Sequence, residues 1–188
     1  MPLIKRLTVL SLLFLLVLSG LSYAKAEKLG GDFALTDQHG NRFNLQQLRG
    51  KVVLLFFGYT FCPDVCPAEL SHVSMVLNRL GEDADKVSGV FVSIDPERDS
   101  PEVLKSYVGY FNEELIGLTG SLDEIDKVAR QYRIKYQKQG DSTDRYTMDH
   151  SASLYVINQQ GELTTVVPYG LPVEHVLRVV RYLLDENS

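Results

Sequence analysis

The sequence predicts a mixed α/β domain, with a central sheet of parallel and antiparallel strands flanked by helices. Three observations carry this expectation. Val52 to Phe57 is an unbroken apolar run rich in Val and Phe, as expected of a strand buried on both faces of a sheet. From there to the C-terminus, segments with helical apolar spacing alternate with short apolar runs, the order that builds a sheet with crossover helices. The chain of 188 residues, 45% of them hydrophobic, is close to the usual size of one domain. A chain of that size fills its core without a metal or a disulfide to hold it together.

The first 24 residues read as a leader. Met1 to Arg6 carries Lys5 and Arg6, Leu7 to Leu18 is almost wholly apolar, and Ser22-Tyr23-Ala24 places small residues where an export peptidase reads them. A secretory signal peptide is the expected reading. An uncleaved anchor through residues 7–21 is the rival, but a bilayer core needs roughly 20 apolar residues, and Ser19, Gly20 and Ser22 interrupt this run. No cysteine lies near the cleavage region to take a lipid. Removing Lys5 and Arg6 takes the formal net charge from −5 to −7, an acidic balance that argues against nucleic acid as a partner. The expected product is a monomer in a periplasmic or equivalent compartment, where cysteine pairs can oxidise.

After a polar linker at 25–31, Phe33-Ala34-Leu35-Thr36 and Arg42-Phe43-Asn44-Leu45 flank the turn residues Asp37 to Asn41, which predicts a small β-hairpin at the start of a domain spanning 32–188. The Val52 run is the central strand. From Pro67 the pattern turns helical, with Leu70, Val73, Leu77 and Leu80 on one stripe and Gly81 placed to end the helix. Val90 to Ile94 is a second strand, and Ser100-Pro101-Glu102 opens a second helix with Leu104, Val108 and Phe111 inward. A third helix starts at Ser121, which forms a capping box with Glu124. Lys135 to Asp149 is polar and reads as a long loop. Leu154–Ile157 and Leu163–Val167 are strands, and Val173, Val176, Leu177, Val180, Leu183 and Leu184 form the stripe of a final helix. There is no internal repeat.

Both cysteines fall where the central strand hands over to the first helix, in Phe61-Cys62-Pro63-Asp64-Val65-Cys66-Pro67. If the segment is helical, thiols four residues apart share a face with Cα atoms ~6 Å apart. That spacing allows a disulfide, near the upper end of its range, or two thiolates aimed at one metal. A helix N-terminus is expected to lower the thiol pKa. As a structural staple the pair is weak, because so small a loop restricts the unfolded chain little.

Two thiols rarely complete a metal site, so the four histidines matter. His39 falls in the hairpin turn and His175 on the polar face of the last helix, both expected at the surface. His72 follows Cys66 by six residues, and the helix carries it away from the N-terminus. His150 ends the polar loop between Asp149 and Ser151, either of which could orient its ring. From composition alone it is as readily a surface residue as a ligand.

The stretches Gly58-Tyr59-Thr60-Phe61-Cys62-Pro63-Asp64-Val65-Cys66-Pro67, Ser93-Ile94-Asp95-Pro96-Glu97-Arg98-Asp99 and Asp149-His150-Ser151 together resemble the Sco family of copper-delivery proteins. Three motifs in the right order are far more specific than a lone cysteine pair. The resemblance implies a thioredoxin-like fold with an inserted loop before the third core strand. It also implies one copper ion held by Cys62, Cys66 and His150, with the Leu154 strand antiparallel to the central strand. Soft thiolates favour Cu(I) and imidazole also suits Cu(II). A structural zinc would usually take four protein ligands. Asp64 and Asp95 could lend an oxygen contact or tune the site, or serve as turn residues.

The role this implies is a metallochaperone passing copper to the copper subunit of cytochrome c oxidase, or to another exported copper protein. The alternative is a thiol-disulfide oxidoreductase in which Cys62 and Cys66 cycle between dithiol and disulfide, chemistry that needs no histidine. Asp32 to Phe57 also looks like the opening of peroxiredoxins. Those place Thr or Ser three residues before the reactive cysteine, where this chain has Tyr59 before Cys62 and Pro63 before Cys66.

Overall fold

Strand β3 (Val52–Gly58), buried at all seven positions, lies inside a seven-stranded sheet of the computed structural model, which describes residues 28–140 and 146–186. The expected leader lies outside the described residues. Among the described residues, no helix is long and apolar enough to cross a membrane.

The N-terminal hairpin forms as expected from β1 (Ala34–Asp37) and β2 (Arg42–Asn44), paired antiparallel. Asp37 Oδ1 accepts from the backbone N–H groups of His39 and Asn41 at 2.8 Å each, which closes the turn. After β3 come helix α1 (Val65–Arg79), β4 (Val87–Ser93), α2 (Pro101–Phe111), β5 (Ile116–Thr119) and α3 (Leu122–Gln131). The chain then makes β6 (Tyr136–Gln139), β7 (Thr147–His150), β8 (Ser153–Ile157), β9 (Leu163–Pro168) and α4 (Val173–Asp185). The sheet order is β2-β1-β5-β4-β3-β8-β9. β3, β4 and β5 are parallel neighbours, and β8 runs antiparallel to β3 with Leu154 opposite Phe56.

Alternation along β3 assigns its two faces. Phe56 and Gly58 face α1, where a Cβ on Gly58 would meet Cys66 Sγ. Phe57 points the other way, onto Tyr132 at the end of α3 and onto Tyr155, with ring centroids 5.5 and 5.8 Å away. The sheet is therefore covered on both sides, which is why β3 and β4 lack a polar face.

Three elements differ from expectation. α1 begins at Val65, two residues before Pro67, because a proline in the first turn lacks only an N–H that has no partner there in any helix. β5 was not expected: Ile116-Gly117-Leu118-Thr119 is short and follows the acidic Glu113-Glu114, yet it pairs between β4 and β1. The segment expected as a loop, Lys135 to Asp149, is largely an antiparallel ribbon of β6 and β7, with Tyr136 opposite His150 and Gln139 opposite Thr147. This ribbon forms its own two-stranded sheet and is not part of the main one.

Candidate metal centre

The site lies beyond the C-terminal ends of β3 and β4, where the chain leaves parallel strands for helices and an α/β sheet offers a crevice. Cys66 is in the first turn of α1, fully buried, while Cys62 on the preceding loop is half-buried. The Cys66 backbone N–H lies 3.5 Å from Cys62 Sγ, so the helix N-terminus faces the first sulfur. His150 closes β7 and arrives at the same edge because β8, which follows it, starts beside the end of β3. Its Nε2 lies 3.4 Å from Cys66 Sγ. The ligand-capable atoms of Cys62, Cys66 and His150 all lie within 4.8 Å of one another, and no fourth Cys, His, Asp or Glu joins them among the described residues.

The half-buried imidazole is held by a hydrogen bond and two aromatic contacts. Its Nδ1 is 3.0 Å from the Ser151 carbonyl, an acceptor, so the Nδ1–H donates there and the Nε2 lone pair is left toward the sulfurs. Phe56 and Tyr59 meet the ring edge-on at 6.2 and 5.9 Å. Burial pushes the His150 pKa below its ordinary value, and the Ser151 bond and the Asp149 charge push back. That shift favours the neutral ring, the form that can ligate a metal.

Cys66 departs from expectation. Burial pushes its thiol pKa far up, a bond from the Tyr59 backbone lowers it, and the neighbouring Cys62 raises it again. Desolvation outweighs the helix N-terminus, so without metal Cys66 is a protonated thiol. A bound cation would displace that proton.

Gly58 makes room for this arrangement. A Cβ there would lie 2.7 Å from Cys66 Sγ and 2.9 Å from Phe91 Cε2, closer than packed atoms tolerate.

The remaining candidates take other places. Asp64 precedes α1, exposed and without a side-chain capping bond. Asp149 is exposed and accepts from Gln139 Nε2 at 2.9 Å, so the backbone of Ser151 orients the imidazole and the Asp149 carboxylate does not. Asp95 is buried and accepts from Arg98 Nε at 2.5 Å and from the Tyr146 hydroxyl at 2.6 Å, outside the sulfur cluster. His72 lies 3.8 Å from Glu69 on α1, also outside it. His39 is exposed and His175 half-buried.

Sequence reasoning passed over Asp99, which is wholly buried. It accepts from the Thr60 N–H at 3.0 Å, the Thr60 hydroxyl at 2.5 Å and the Ser93 hydroxyl at 2.6 Å. These bonds tie the loop that carries Cys62 to the end of β4. The signal was present, since both Thr60 and Asp99 belong to the quoted motifs. Tyr107 also escaped notice: its hydroxyl is buried with no hydrogen-bond partner among the described residues, and that burial pushes its pKa up.

A thioredoxin-like sheet whose strand-to-helix turn presents two sulfurs to an imidazole defines a class of thiol proteins suited to redox exchange or to soft metals. The chain belongs to the SCO1/SenC family, whose model matches residues 22–185. It is 39% identical over 142 residues to a SCO2-like protein of Rickettsia felis, covering 74% of this chain and 69% of that one. It is 41% identical over 155 residues to the mitochondrial SCO1 homolog 1 of Arabidopsis thaliana, covering 82% of this chain and 46% of that one. Among solved structures, copper-bound ScoI of Bradyrhizobium japonicum matches with a TM-score of 0.76 at 41% identity, over 82% of this chain and 99% of that one. Copper-bound ScoI of Arabidopsis thaliana matches with a TM-score of 0.78 at 35% identity, over 84% and 99%.

Proposed function

We propose that this chain is an exported metallochaperone that binds one copper ion through Cys62 Sγ, Cys66 Sγ and His150 Nε2. Its acceptor is the copper site of cytochrome c oxidase during assembly. The observation that carries the reading is the convergence of two sulfurs and one imidazole nitrogen from segments 84 residues apart. Two thiolates suit Cu(I), and the added nitrogen makes the same site serviceable for Cu(II). The copper-bound relatives support the choice of metal, and membership in the SCO1/SenC family supports the choice of acceptor. Export rests on the basic and apolar leader.

The half-exposed Cys62 beside the buried Cys66 favours a second reading, in which the pair reduces the cysteines of a copper-protein partner. An accessible attacking thiol with a sheltered resolving thiol is what such exchange needs. Anaerobic mass spectrometry of the purified domain with copper tests the first reading, with one ion per monomer as the expected result. His150→Ala is expected to weaken Cu(II) binding far more than it slows disulfide exchange. Copper retention equal to wild type in that variant would favour the oxidoreductase.

A further inference from the structure

The ribbon that carries His150 shares no backbone ladder with the main sheet, and a two-stranded ribbon holds its place poorly by itself. Its join to β8 holds the His150 end, and side chains must hold the rest. Tyr146, Met148 and His150 alternate with the exposed Thr147 and Asp149, so the first three turn toward the domain. At the His150 end, Tyr136 donates its hydroxyl to Asp126 on α3. Toward the opposite end the contacts are Lys138, whose Nζ donates to Glu97 Oε2 at 2.9 Å, and Tyr146.

Tyr146 is buried, and its hydroxyl donates to Asp95 Oδ1 at 2.6 Å. Two cations meet its ring: Arg98 Cζ lies 3.5 Å from the centroid and Lys138 Nζ 3.7 Å. Arg98 donates through Nε to Asp95 Oδ2 at 2.5 Å and through Nη1 to the Tyr146 carbonyl at 3.0 Å. The same guanidinium lies 4.6 Å from the ring of Phe61, next to Cys62, and 5.8 Å from that of Tyr59. Tyr59 in turn packs edge-on against His150, with ring centroids 5.9 Å apart. Arg98 thus touches the ribbon on one side and the cysteine loop on the other, while Asp95 fixes it from below.

We propose that Arg98 and Tyr146 are positioning residues for His150. Clamping the far end of the ribbon to the cysteine loop sets how closely Nε2 approaches the two sulfurs, and so whether the site offers two ligands or three. The metal half of this inference rests on the copper reading above; the positional half does not. Two thiolates satisfy Cu(I), whereas Cu(II) depends on the nitrogen, so a loosened clamp discriminates against Cu(II).

The test compares wild type, Tyr146→Leu and Tyr146→Phe, each alone and with His150→Ala. In the metal-free protein, the His150 ring-proton resonances report its packing against Phe56 and Tyr59. Tyr146→Leu is expected to move them, and to weaken Cu(II) by ~10- to 100-fold, the usual cost of losing a partner that orients a ligand. Cu(I) affinity stays near wild type. In the His150→Ala background Tyr146→Leu is expected to cost no further Cu(II) affinity, because the clamp acts through the ring. Tyr146→Phe keeps the stack and the Arg98 bond to its carbonyl, so it gives a smaller shift of the same sign and serves if the leucine variant fails to fold. Unmoved His150 resonances in a folded variant overturn the positioning role, as do losses that add fully to those of His150→Ala. A wild-type protein that binds no copper sinks the metal reading instead, and the resonances still decide the clamp.

Discussion

At the scale of single residues the site is governed by space and desolvation more than by charge. Gly58 shows this best, because the atom a side chain would add falls on Cys66 Sγ and Phe91 Cε2, both held in the core. Neither neighbour is a flexible chain end. Gly58→Ala is therefore expected to cost about 1–3 kcal/mol, the range for overpacking a dense core, and to push the sulfur away from His150. Urea denaturation and copper titration of one preparation would check it, and a stable variant with wild-type copper affinity would contradict it. The same reasoning explains why the thiol pKa was misjudged from sequence. A position at a helix N-terminus is visible in a string of letters, but the complete burial of Cys66 is not. The three residues that the fold brings together were legible because each sits in a recognisable motif. The Ser151 carbonyl that sets the ring tautomer is backbone, and no residue pattern announces it.

At the scale of elements, α1 carries a buried acid one turn beyond Cys66. Burial pushes the Glu69 carboxyl up to about 7, with His72 3.8 Å away on the same helix and Glu174 of α4 acting on His72. Since the folded pKa exceeds the ordinary 4.5, the folded state holds its proton longer than the unfolded chain does. Stability from this group is fully present below pH 4.5, falls as pH rises toward 7, and then levels off. His72, pushed down by burial, works in the opposite direction and loses stability as pH falls below its ordinary value. Glu69→Gln removes the penalty, so its gain in urea denaturation is expected to be larger at pH 8 than at pH 5 by about 2 kcal/mol. Equal gains at both would show that the carboxyl is ionised without cost.

Elements were otherwise legible wherever periodicity was strong. The capping box of Ser121 and Glu124 forms at the start of α3, and the apolar stripe of α4 is buried as read. β5 and the β6–β7 ribbon were missed for opposite reasons. The first is four residues whose strand character comes from tertiary pairing. The second is polar along Tyr136-Gln137-Lys138-Gln139, because this strand stands off the main sheet and only Tyr136 is even half-buried.

At the scale of the whole molecule, the candidate ligands divide unequally between local and distant sequence, and that division determines how metal should affect stability. Cys62 and Cys66 are four residues apart and stay near each other even in an unfolded chain, so Cu(I) held by the two sulfurs alone binds both states. His150 joins them only when β3, α1, β8 and the ribbon are assembled. Any binding energy that passes through the imidazole therefore belongs to the folded state alone, and only that part raises the melting temperature. At a copper concentration of 100 times Kd, full discrimination would contribute about 2.7 kcal/mol, or roughly 5–10 °C for a domain of this size. Calorimetry with Cu(II) is expected to approach that shift in wild type and to show little of it in His150→Ala. Cu(I) is expected to give a smaller shift that survives the substitution. If instead Cu(I) and Cu(II) stabilise wild type and His150→Ala alike, the imidazole contributes nothing to either, and the cysteine pair acts as a local chelate that happens to lie beside a histidine.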